Sequence, residues 1–293
     1  MPTFDGNPVV PAATQTTAKN AYATLAEYKD YVTARGQTSS TDATDDEVIN
    51  NLLEQASRYI DDETGRVFYP FIQARLYNVP NSRELCIDED LLEVITLTNG
   101  DSATMPATEY YLVPKNVYPA YALKITNISS YQWLSNAQGS LENAISVLGI
   151  WGYHDRYTRD GWKVGTTTTE ALDTSEVEFD VTASTLFSAG QIIRYGDELG
   201  IITSTASGKI TVVSRGDNGS TAAAHDSGIT VYIWQPIRTA NHACLEIAMT
   251  AYHRRFGRSQ SNSEIVTAAG VVLSPRDVPA LAMSFINSHK EMV

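Results

Sequence analysis

The chain has 293 residues, of which 43% are hydrophobic, enough to bury the core of one large domain or two ordinary ones. Its 21 Lys and Arg residues are outnumbered by 34 Asp and Glu residues, so the formal net charge is −13 and the surface as a whole repels phosphate groups. These figures argue against a nucleic-acid-binding surface, and the lack of any run of ~18 apolar residues argues against membrane insertion.

The N-terminal region predicts an extended arm followed by a short helix. Residues 1–20 are rich in Pro, Ala and Thr and show no hydrophobic period, which is typical of an arm that becomes ordered on a neighbour. A capping box formed by Thr24 and Glu27 then marks the start of the first helix, and Gly36 marks its end.

The second helix has the strongest helical pattern in the sequence. Thr44 and Glu47 form another capping box, acidic residues occupy the first turn, and Gly65 follows the last apolar position. Its apolar residues recur with a helical period, so we expect one face to pack inside a helical core. The predicted packing residues are Leu52, Leu53, Tyr59 and Ile60.

The middle of the chain carries two β-patterns. From Phe68 to Trp162, short runs of β-branched and aromatic residues predict a meander of short strands, which completes a unit over residues 21–164. Gly165 then opens a Gly-Thr tract that is typical of a linker. Residues 170–235 contain about five further runs separated by turn residues, so we expect an inserted small antiparallel β-barrel or sandwich.

Helical periodicity returns over residues 236–293. One helix is predicted from Pro236 to Gly257, and a second begins at Ser274 with Asp277 in its first turn. Helices at both ends of a chain bury their apolar faces most simply against each other. The predicted fold class is therefore α+β, with a helical core formed by the N- and C-terminal helices and with the two β-regions between them.

The sequence contains no pattern that predicts catalysis. The acidic triplet Asp88-Glu89-Asp90 is interpreted as a solvated turn rather than a carboxylate pair. His154 beside Asp155 is better explained by loop hydrogen bonding than by acid–base chemistry. Metal-ligand spacings, nucleotide-binding loops and nucleophile elbows are missing. We therefore expect that the chain is not an enzyme and has no catalytic, cofactor-binding or metal site.

Two further features favour structural interpretations. The stretch Arg215–Gly219, Arg-Gly-Asp-Asn-Gly, is typical of a hairpin turn with glycine at positive φ. The four tryptophans are interpreted as core anchors or interface residues, because no basic residues are interleaved with them as in a nucleic-acid stacking surface. They are Trp133, Trp151, Trp162 and Trp234.

Several segments of the chain carry a distinctive set of motifs. Residues 22–70 contain a short first helix, a polar loop and an amphipathic helix with an Ala56-Ser57 pair and an Ile-Asp step. A Thr-Gly-Arg step at Thr64 and an aromatic pair follow this helix. A GIWGY strand over residues 149–153 and a final Ser-Pro-x-Asp-Val helix complete the set. In these motifs the chain resembles tailed-phage head–tail connector proteins of the adaptor or head-completion type.

The resemblance covers residues 1–164 and 237–293. The block 170–235 departs from it and looks like a small β-module that recurs in phage particle proteins, whereas compact connectors lack such a module. The resemblance therefore gives no direct expectation for what this β-domain contacts.

The resemblance implies a structural virion protein at the head–tail junction, assembled in the host cytoplasm. It implies a homo-oligomeric ring, typically a dodecamer, that docks on the portal protein and on the tail or a tail-terminator or nozzle protein. Double-stranded DNA passes through such a ring, and an acidic wall suits a conduit because each Lys or Arg contact with phosphate adds affinity. The residues predicted to dock on the portal are Val278, Leu281, Phe285 and Ile286.

Two alternatives belong to other functional classes. One is a tail or baseplate module that binds host glycan through the 170–235 β-domain, with Trp234 and neighbouring tyrosines as the stacking surface. The other is a hydrolase that uses Asp88, Glu89 or Asp155, for which the sequence offers no nucleophile–base pair.

Overall fold

A computed structural model describes residues 17–36, 43–256 and 278–291. Within these ranges the chain is an α+β protein, as the sequence predicts, with four α-helices and two antiparallel sheets. The helices are α1 (Leu25–Ala34), α2 (Ala43–Thr64), α3 (Arg238–Phe256) and α4 (Ala280–His289). The strands are β1 (Phe71–Tyr77), β2 (Glu84–Thr98), β3 (Tyr110–Val113), β4 (Ala120–Ile125), β5 (Ile145–Trp151), β6 (Trp162–Thr167), β7 (Glu178–Asp180), β8 (Ile192–Tyr195), β9 (Glu198–Ala206), β10 (Lys209–Val212) and β11 (Thr230–Trp234).

Helices α1 and α2 are bounded by local signals. The Thr24 hydroxyl accepts a hydrogen bond from the Glu27 amide at 3.2 Å, and the Glu27 carboxylate accepts one from the Thr24 amide at 2.7 Å, which completes the predicted capping box. Gly36 and Gly65 adopt positive φ shortly after the two helices, as helix-ending glycines commonly do. The side chain of Thr44, predicted to cap α2, lies outside the described residues.

The four helices contribute to one hydrophobic cluster. Helix α3 packs against both α2 and α4, and α1 contacts α2 and α3. Tyr28 of α1, Leu53 of α2 and Cys244 of α3 are each at most 3% exposed. Ile286 of α4 and Phe68, which precedes β1, are 0% exposed in the same cluster. Residues from the two ends of the chain are therefore buried together.

The first sheet has the strand order β1-β5-β2-β4-β3 and is not the simple meander that the sequence predicts. Strand β5 returns to lie between β1 and β2. Strand β2 is 15 residues long, and its pairing with β4 shifts after Cys86. Between Cys86 and Leu91, β2 has four residues where β4 has one, so this part of β2 bulges away from β4. The triplet Asp88-Glu89-Asp90 lies on this bulge, which corrects its interpretation as a turn before a strand.

The second sheet has the strand order β6-β11-β8-β9-β10-β7 and is open, so the predicted barrel or sandwich is wrong. Beyond the ends of its edge strands, an isolated bridge joins Thr168 to Val181. Residues Trp162–Thr167 are paired with β11, so the tract that begins at Gly165 is a strand rather than a linker. Threonine-rich segments suit a pleated strand, and this preference overrides the linker-like composition. We call residues 162–235 the β-insert.

The stretch Arg215–Gly219 is a crossover and not the predicted hairpin turn. It joins β10 to β11, which are not neighbours in the sheet. Its last three residues form a 3-10 turn that packs on β1. The Asn218 amide group donates a hydrogen bond to the Pro70 carbonyl at 3.0 Å. Gly219 has φ +79°, and a Cβ there would lie 2.2 Å from the Ile72 carbonyl oxygen, so only glycine fits.

The β-insert packs directly on the first sheet. At the margin of their shared contact, Arg194 donates two hydrogen bonds to Glu93, at 2.8 and 3.0 Å, and the Tyr157 hydroxyl donates a third at 2.6 Å. Burial raises the pKa of Glu93, but these hydrogen bonds outweigh burial and hold it below its usual range. The buried residues of the shared contact are Ile72, Leu92, Ile150, Tyr157, Ile192, Leu199, Ile201 and Trp234.

Candidate functional site

The residues predicted for portal docking differ sharply in exposure. Phe285 and Ile286 are 6% and 0% exposed inside the helical cluster, and Val278 packs partly buried against it. Leu281 is 65% exposed. The predicted start of this helix, at Ser274, lies outside the described residues. Phe285 and Ile286 are therefore core residues of this chain, and among these four positions Leu281 is the one that offers apolar surface to a partner.

The residues predicted for core packing on α2 lie in or beside the helical cluster. Leu52 is 4% exposed, and Leu53 and Ile60 are each 0% exposed. Tyr59 is partly buried and packs against the same cluster. The apolar face of α2 therefore lies against the other helices.

The Ala56-Ser57 pair lets two other segments approach α2 closely. Ala56 is 0% exposed, and the Ser57 hydroxyl donates a hydrogen bond to the Leu53 carbonyl at 2.8 Å. The same hydroxyl accepts a hydrogen bond from the Tyr22 amide at 2.9 Å and lies 3.4 Å from Cys244 Sγ. A larger residue at either position would push the N-terminal segment or α3 away.

An aromatic junction, formed by Tyr22, Phe68, Tyr153 and Phe285, joins the helices to the first sheet. Phe68 is its central, fully buried ring. The Phe68 ring centroid lies 5.6 Å from that of Tyr22 and 5.4 Å from those of Tyr153 and Phe285. Such edge-to-face and tilted contacts are favourable beyond simple burial. Because the four rings come from distant parts of the sequence, the junction requires all four segments to be in place.

A polar group of side chains borders the aromatic junction. The Tyr22 hydroxyl donates a hydrogen bond to Asp61 and accepts one from the Phe68 amide at 2.9 Å. Arg58 Nε lies 3.0 Å from Asp61 Oδ2. Burial raises the pKa of Asp61 to about 6, although Arg58 and Tyr22 both favour its ionised form. Asp61 therefore connects α2 to the N-terminal segment.

A cleft of about 290 Å³ lies beside the aromatic junction and contains the acidic triplet. Asp90 forms an ion pair with Arg66, and Glu89 forms one with Arg75. Burial raises the pKa of Asp90, and Arg66 opposes that rise. Glu291 from the end of the described chain also lines the cleft. Each of these paired carboxylates is held by an arginine, an arrangement that anchors the β2 bulge.

A groove of about 820 Å³ lies where the β-insert joins the rest of the chain, and we call it the basic groove. Its walls are the two connections into and out of the insert. Residues 154–163 form one wall and include a π-helical turn, and residues 235–239 form the other and lead into α3. The apolar part of the lining is Trp162, Pro236 and Ile237.

Cations outnumber carboxylates in the basic groove, although the chain as a whole is acidic. Four cations and two carboxylates line it, so 4 − 2 leaves a net charge of +2. Arg159 donates two hydrogen bonds to Asp160, at 2.9 and 2.6 Å. These two charges largely neutralise each other. The six charged residues are Arg156, Arg159, Lys163, Arg238, Asp155 and Asp160.

Three cations of the basic groove are available to form ion pairs with a binding partner. Arg156 is 60% exposed, and its nearest carboxylates lie at 3.8 and 4.0 Å. Lys163 and Arg238 are exposed and form no ion pair with any residue of the described ranges. The site is not evident from the sequence, because Arg238 is separated from the other cations by the whole β-insert. The three- and four-residue spacing of Arg156, Arg159 and Lys163 is the only local signal.

His154 ties the two walls of the basic groove together. It is 3% exposed, and its Nδ1 accepts a hydrogen bond from the Arg156 amide at 3.0 Å. Nε2 therefore carries the proton and donates it to the Gln235 carbonyl at 3.2 Å. Burial lowers the pKa of His154, and the neighbouring Asp155 opposes this. A neutral, buried His154 therefore links the two walls of the groove by hydrogen bonds, which agrees with the structural interpretation of the His-Asp pair.

A buried ionic cluster holds the crossover at Arg215 to the β-insert. Arg215 donates two hydrogen bonds to Glu198, at 2.7 and 2.9 Å, and their side chains are 3% and 1% exposed. Tyr195 and His225 each contact the same carboxylate at 3.0 Å. Burial raises the pKa of Glu198, but hydrogen bonds from Arg215, Ala223 and His225 lower it to about 2. The Arg-Gly-Asp stretch is thus fixed inside the fold.

The tryptophans are mainly structural. Trp151 and Trp234 are 0% and 3% exposed, and Trp133 packs partly buried in the first sheet. Trp162 is partly buried and lies at the basic groove, 5.0 Å from the Trp234 ring. This distribution agrees with their interpretation as core anchors, with Trp162 also available to a ligand of the groove.

No protein-family model, curated protein or solved structure matches the chain. Over the part of the chain that the structure describes, none of the helices combines the length and apolar character needed to cross a bilayer. Among the same residues, His, Cys, Asp and Glu do not cluster in threes in a way that suits a metal ion.

Proposed function

We propose that this chain is a structural subunit of a viral head–tail connector, located in the virion at the head–tail junction. Its copies form a ring, of twelve in the family that the sequence resembles, between a portal protein and the tail. The helical cluster is the connector core of each subunit, and the genome passes through the ring as double-stranded DNA. The subunits are made and assembled in the host cytoplasm.

The observation that carries this proposal is the aromatic junction. The motifs that resemble connector proteins are scattered from Tyr22 to the last helix, yet their residues meet around Phe68. The Ala-Ser pair, Asp61 and Arg66 border the same place. Motifs that resemble a family by chance have no reason to pack on one another, whereas the motifs of one structural unit do. This convergence supports a common unit for both ends of the chain.

The outer face of α4 is the proposed portal-docking surface. Leu281 is its exposed apolar residue, while Phe285 and Ile286 hold the helix in place from the inner side. An exposed leucine on a helix that is fixed by its own core is suited to enter a pocket of a partner. Removing the whole helix would also remove core residues, so point variants are the appropriate test.

Particle assembly tests the proposal. In the virus that encodes this chain, we expect particles made without it to lose DNA and to lack tails, and wild-type protein supplied in trans to restore both. Leu281→Asp should reduce tailed, DNA-filled particles roughly 10-fold or more, because it places a charge in the docking contact. Leu141→Asp, the same change at a leucine that is 53% exposed on the loop before β5, is the matched control and should assemble normally. Normal particles without the protein would refute the proposal.

The glycan-binding alternative depends on Trp234 as a stacking surface, and Trp234 is buried. Trp234 is 3% exposed, and the rings of His154 and Trp162 lie 5.3 and 5.0 Å from its centroid. A sugar needs an open aromatic face on which to stack, and Trp234 offers none. Tyr232 on the same strand is 36% exposed and is the aromatic residue of β11 that remains open to a ligand.

A further inference from the structure

We propose that the basic groove binds the acidic segment 170–180 of a second copy of this chain. This contact would join neighbouring subunits head to tail. The inference rests on the proposed ring, because it assigns the two surfaces through which one subunit meets the next.

The acidic segment has the charge that the basic groove lacks. It carries five carboxylates in eleven residues, and Lys209 forms ion pairs with two of them, so these charges sum to 1 − 5, or −4. Arg215 also donates hydrogen bonds to the Asp173 and Glu176 carbonyls, but its charge is paired with Glu198. Glu178 and Asp180 are 52% and 43% exposed even with Lys209 at 2.9 and 3.5 Å. Exposed pairs of this kind contribute little and exchange readily for a new partner. The five carboxylates belong to Glu170, Asp173, Glu176, Glu178 and Asp180.

The acidic segment is also fixed in shape. The Asp173 carboxylate accepts hydrogen bonds from the amides of Ser175 and Glu176, at 2.6 and 2.8 Å, and Phe179 is fully buried in the sheet. A preformed segment loses little conformational entropy on binding. Val177, between the acidic residues, is 40% exposed and offers an apolar contact to match Trp162 and the other apolar residues of the groove.

Groove and segment lie at opposite ends of β6, so one copy does not satisfy its own groove. Trp162 and Lys163 at the start of β6 line the groove, whereas the acidic segment follows its last residue, Thr167. Six strand residues span about 20 Å. Strand β7 also stays paired with β10. Since the two surfaces differ, the contact is heterologous, and repeated heterologous contacts close into a ring when the rotation permits.

The mixed charges of the basic groove favour a polypeptide over nucleic acid. Asp155 and Asp160 stand between the cations, and a phosphate backbone, which carries a charge on every nucleotide, cannot leave a gap opposite them. A protein segment offers backbone amides and apolar side chains as well as carboxylates, so it can use the whole lining.

Sedimentation velocity of complementary charge-reversal variants tests the inference. Wild-type protein should self-associate at low ionic strength and dissociate at high salt, because exposed charge pairs are screened. A groove variant, Lys163→Glu with Arg238→Glu, and a segment variant, Glu176→Lys with Glu178→Lys, should each self-associate at least about 10-fold more weakly. An equimolar mixture of the two variants should regain association, because the unaltered segment of one variant meets the unaltered groove of the other and the two reversed surfaces also have opposite charges.

Matched controls separate this contact from a general charge effect. Lys115→Glu and Glu142→Lys reverse exposed charges on loops of the first sheet and should associate as the wild type does. The inference is overturned if the wild type shows no salt-sensitive association, if the groove variant associates normally, or if the mixture gains nothing. Tighter binding of a short DNA duplex than of a second copy, lost in the groove variant, would also overturn it. These measurements need no portal or particle, so they can fail while the assembly experiment still supports a connector.

Discussion

At the scale of single residues, Arg215 is the side chain whose replacement we expect to be most costly in the β-insert. Arg215→Met removes the ion-pair partner of the buried Glu198 carboxylate and leaves that charge with hydrogen bonds from Tyr195 and His225 but without its arginine. The expected loss is about 3–5 kcal/mol in the free energy of unfolding, measured by urea denaturation at pH 7. Lys209→Met removes an exposed ion pair in the same sheet and should cost less than about 1 kcal/mol.

The pH dependence of a further variant, Glu198→Gln, tests whether the ionised Glu198 carboxylate is the source of this stability. The pKa of Glu198 is about 2 in the folded protein, below its ordinary value of 4.5. A depressed folded pKa stabilises the protein above pH 4.5, and this contribution disappears as the pH falls from 4.5 towards 2. The difference between the wild type and Glu198→Gln should therefore shrink over that range. A difference that stays constant with pH would mean that the ionised carboxylate is not the source of the stability.

At the scale of elements, the 3-10 turn after Arg215 fixes the β-insert to β1 through Gly219. Gly219→Ala meets the Ile72 carbonyl at 2.2 Å as well as the penalty for a side chain at positive φ. Gly208→Ala, in the β9–β10 hairpin, has φ +75° with no atom within 4 Å of the added Cβ. We expect Gly208→Ala to cost about 1–2 kcal/mol, the backbone penalty alone, and Gly219→Ala clearly more. Equal losses in thermal denaturation would show that the turn can shift freely from β1.

Elements defined by local signals could be predicted from the sequence, and those defined by distant contacts could not. The capping box of Thr24 and Glu27 and the stop at Gly65 act within a few residues, so the sequence displays them directly. The order of strands depends on which edges meet, and β5 lies between β1 and β2 because of contacts that no local pattern encodes. The crossover at Arg215 resembled a hairpin because its Asn-Gly step is typical of both.

The difference between local signals and distant contacts also explains why the sequence predicted the candidate sites only in part. The apolar period of α4 indicates a helix with an apolar face, but not whether each apolar residue faces the chain's own core or a partner. Phe285 and Leu281 were therefore both predicted to dock on the portal, although one is buried and the other exposed. The basic groove depends on two connections separated by the β-insert, with Lys163 in one and Arg238 in the other. Only the fold brings such residues to one place.

At the scale of the whole molecule, the β-insert and the first sheet should unfold as one unit. Leu199 is 0% exposed in their shared contact, so Leu199→Ala should cost about 2–5 kcal/mol. Amide hydrogen exchange would then show equal losses of protection at Ile150 in β5 and Ile201 in β9. Leu186→Ala, at a 47% exposed position of the insert, is the matched control and should change protection at neither.

The contrary result would mean that the β-insert is a self-contained domain. If Leu199→Ala lowered protection only in β9, the insert would open while the first sheet stayed folded. The structure argues against this, because such opening would expose Ile192 and Trp234 together with Leu199 and break the hydrogen bonds between Arg194 and Glu93. Exposing that much apolar surface costs several kcal/mol, at about 25 cal/mol per Å². A rigid β-insert also suits the proposed ring, since a contact between neighbouring inserts then fixes the orientation of whole subunits.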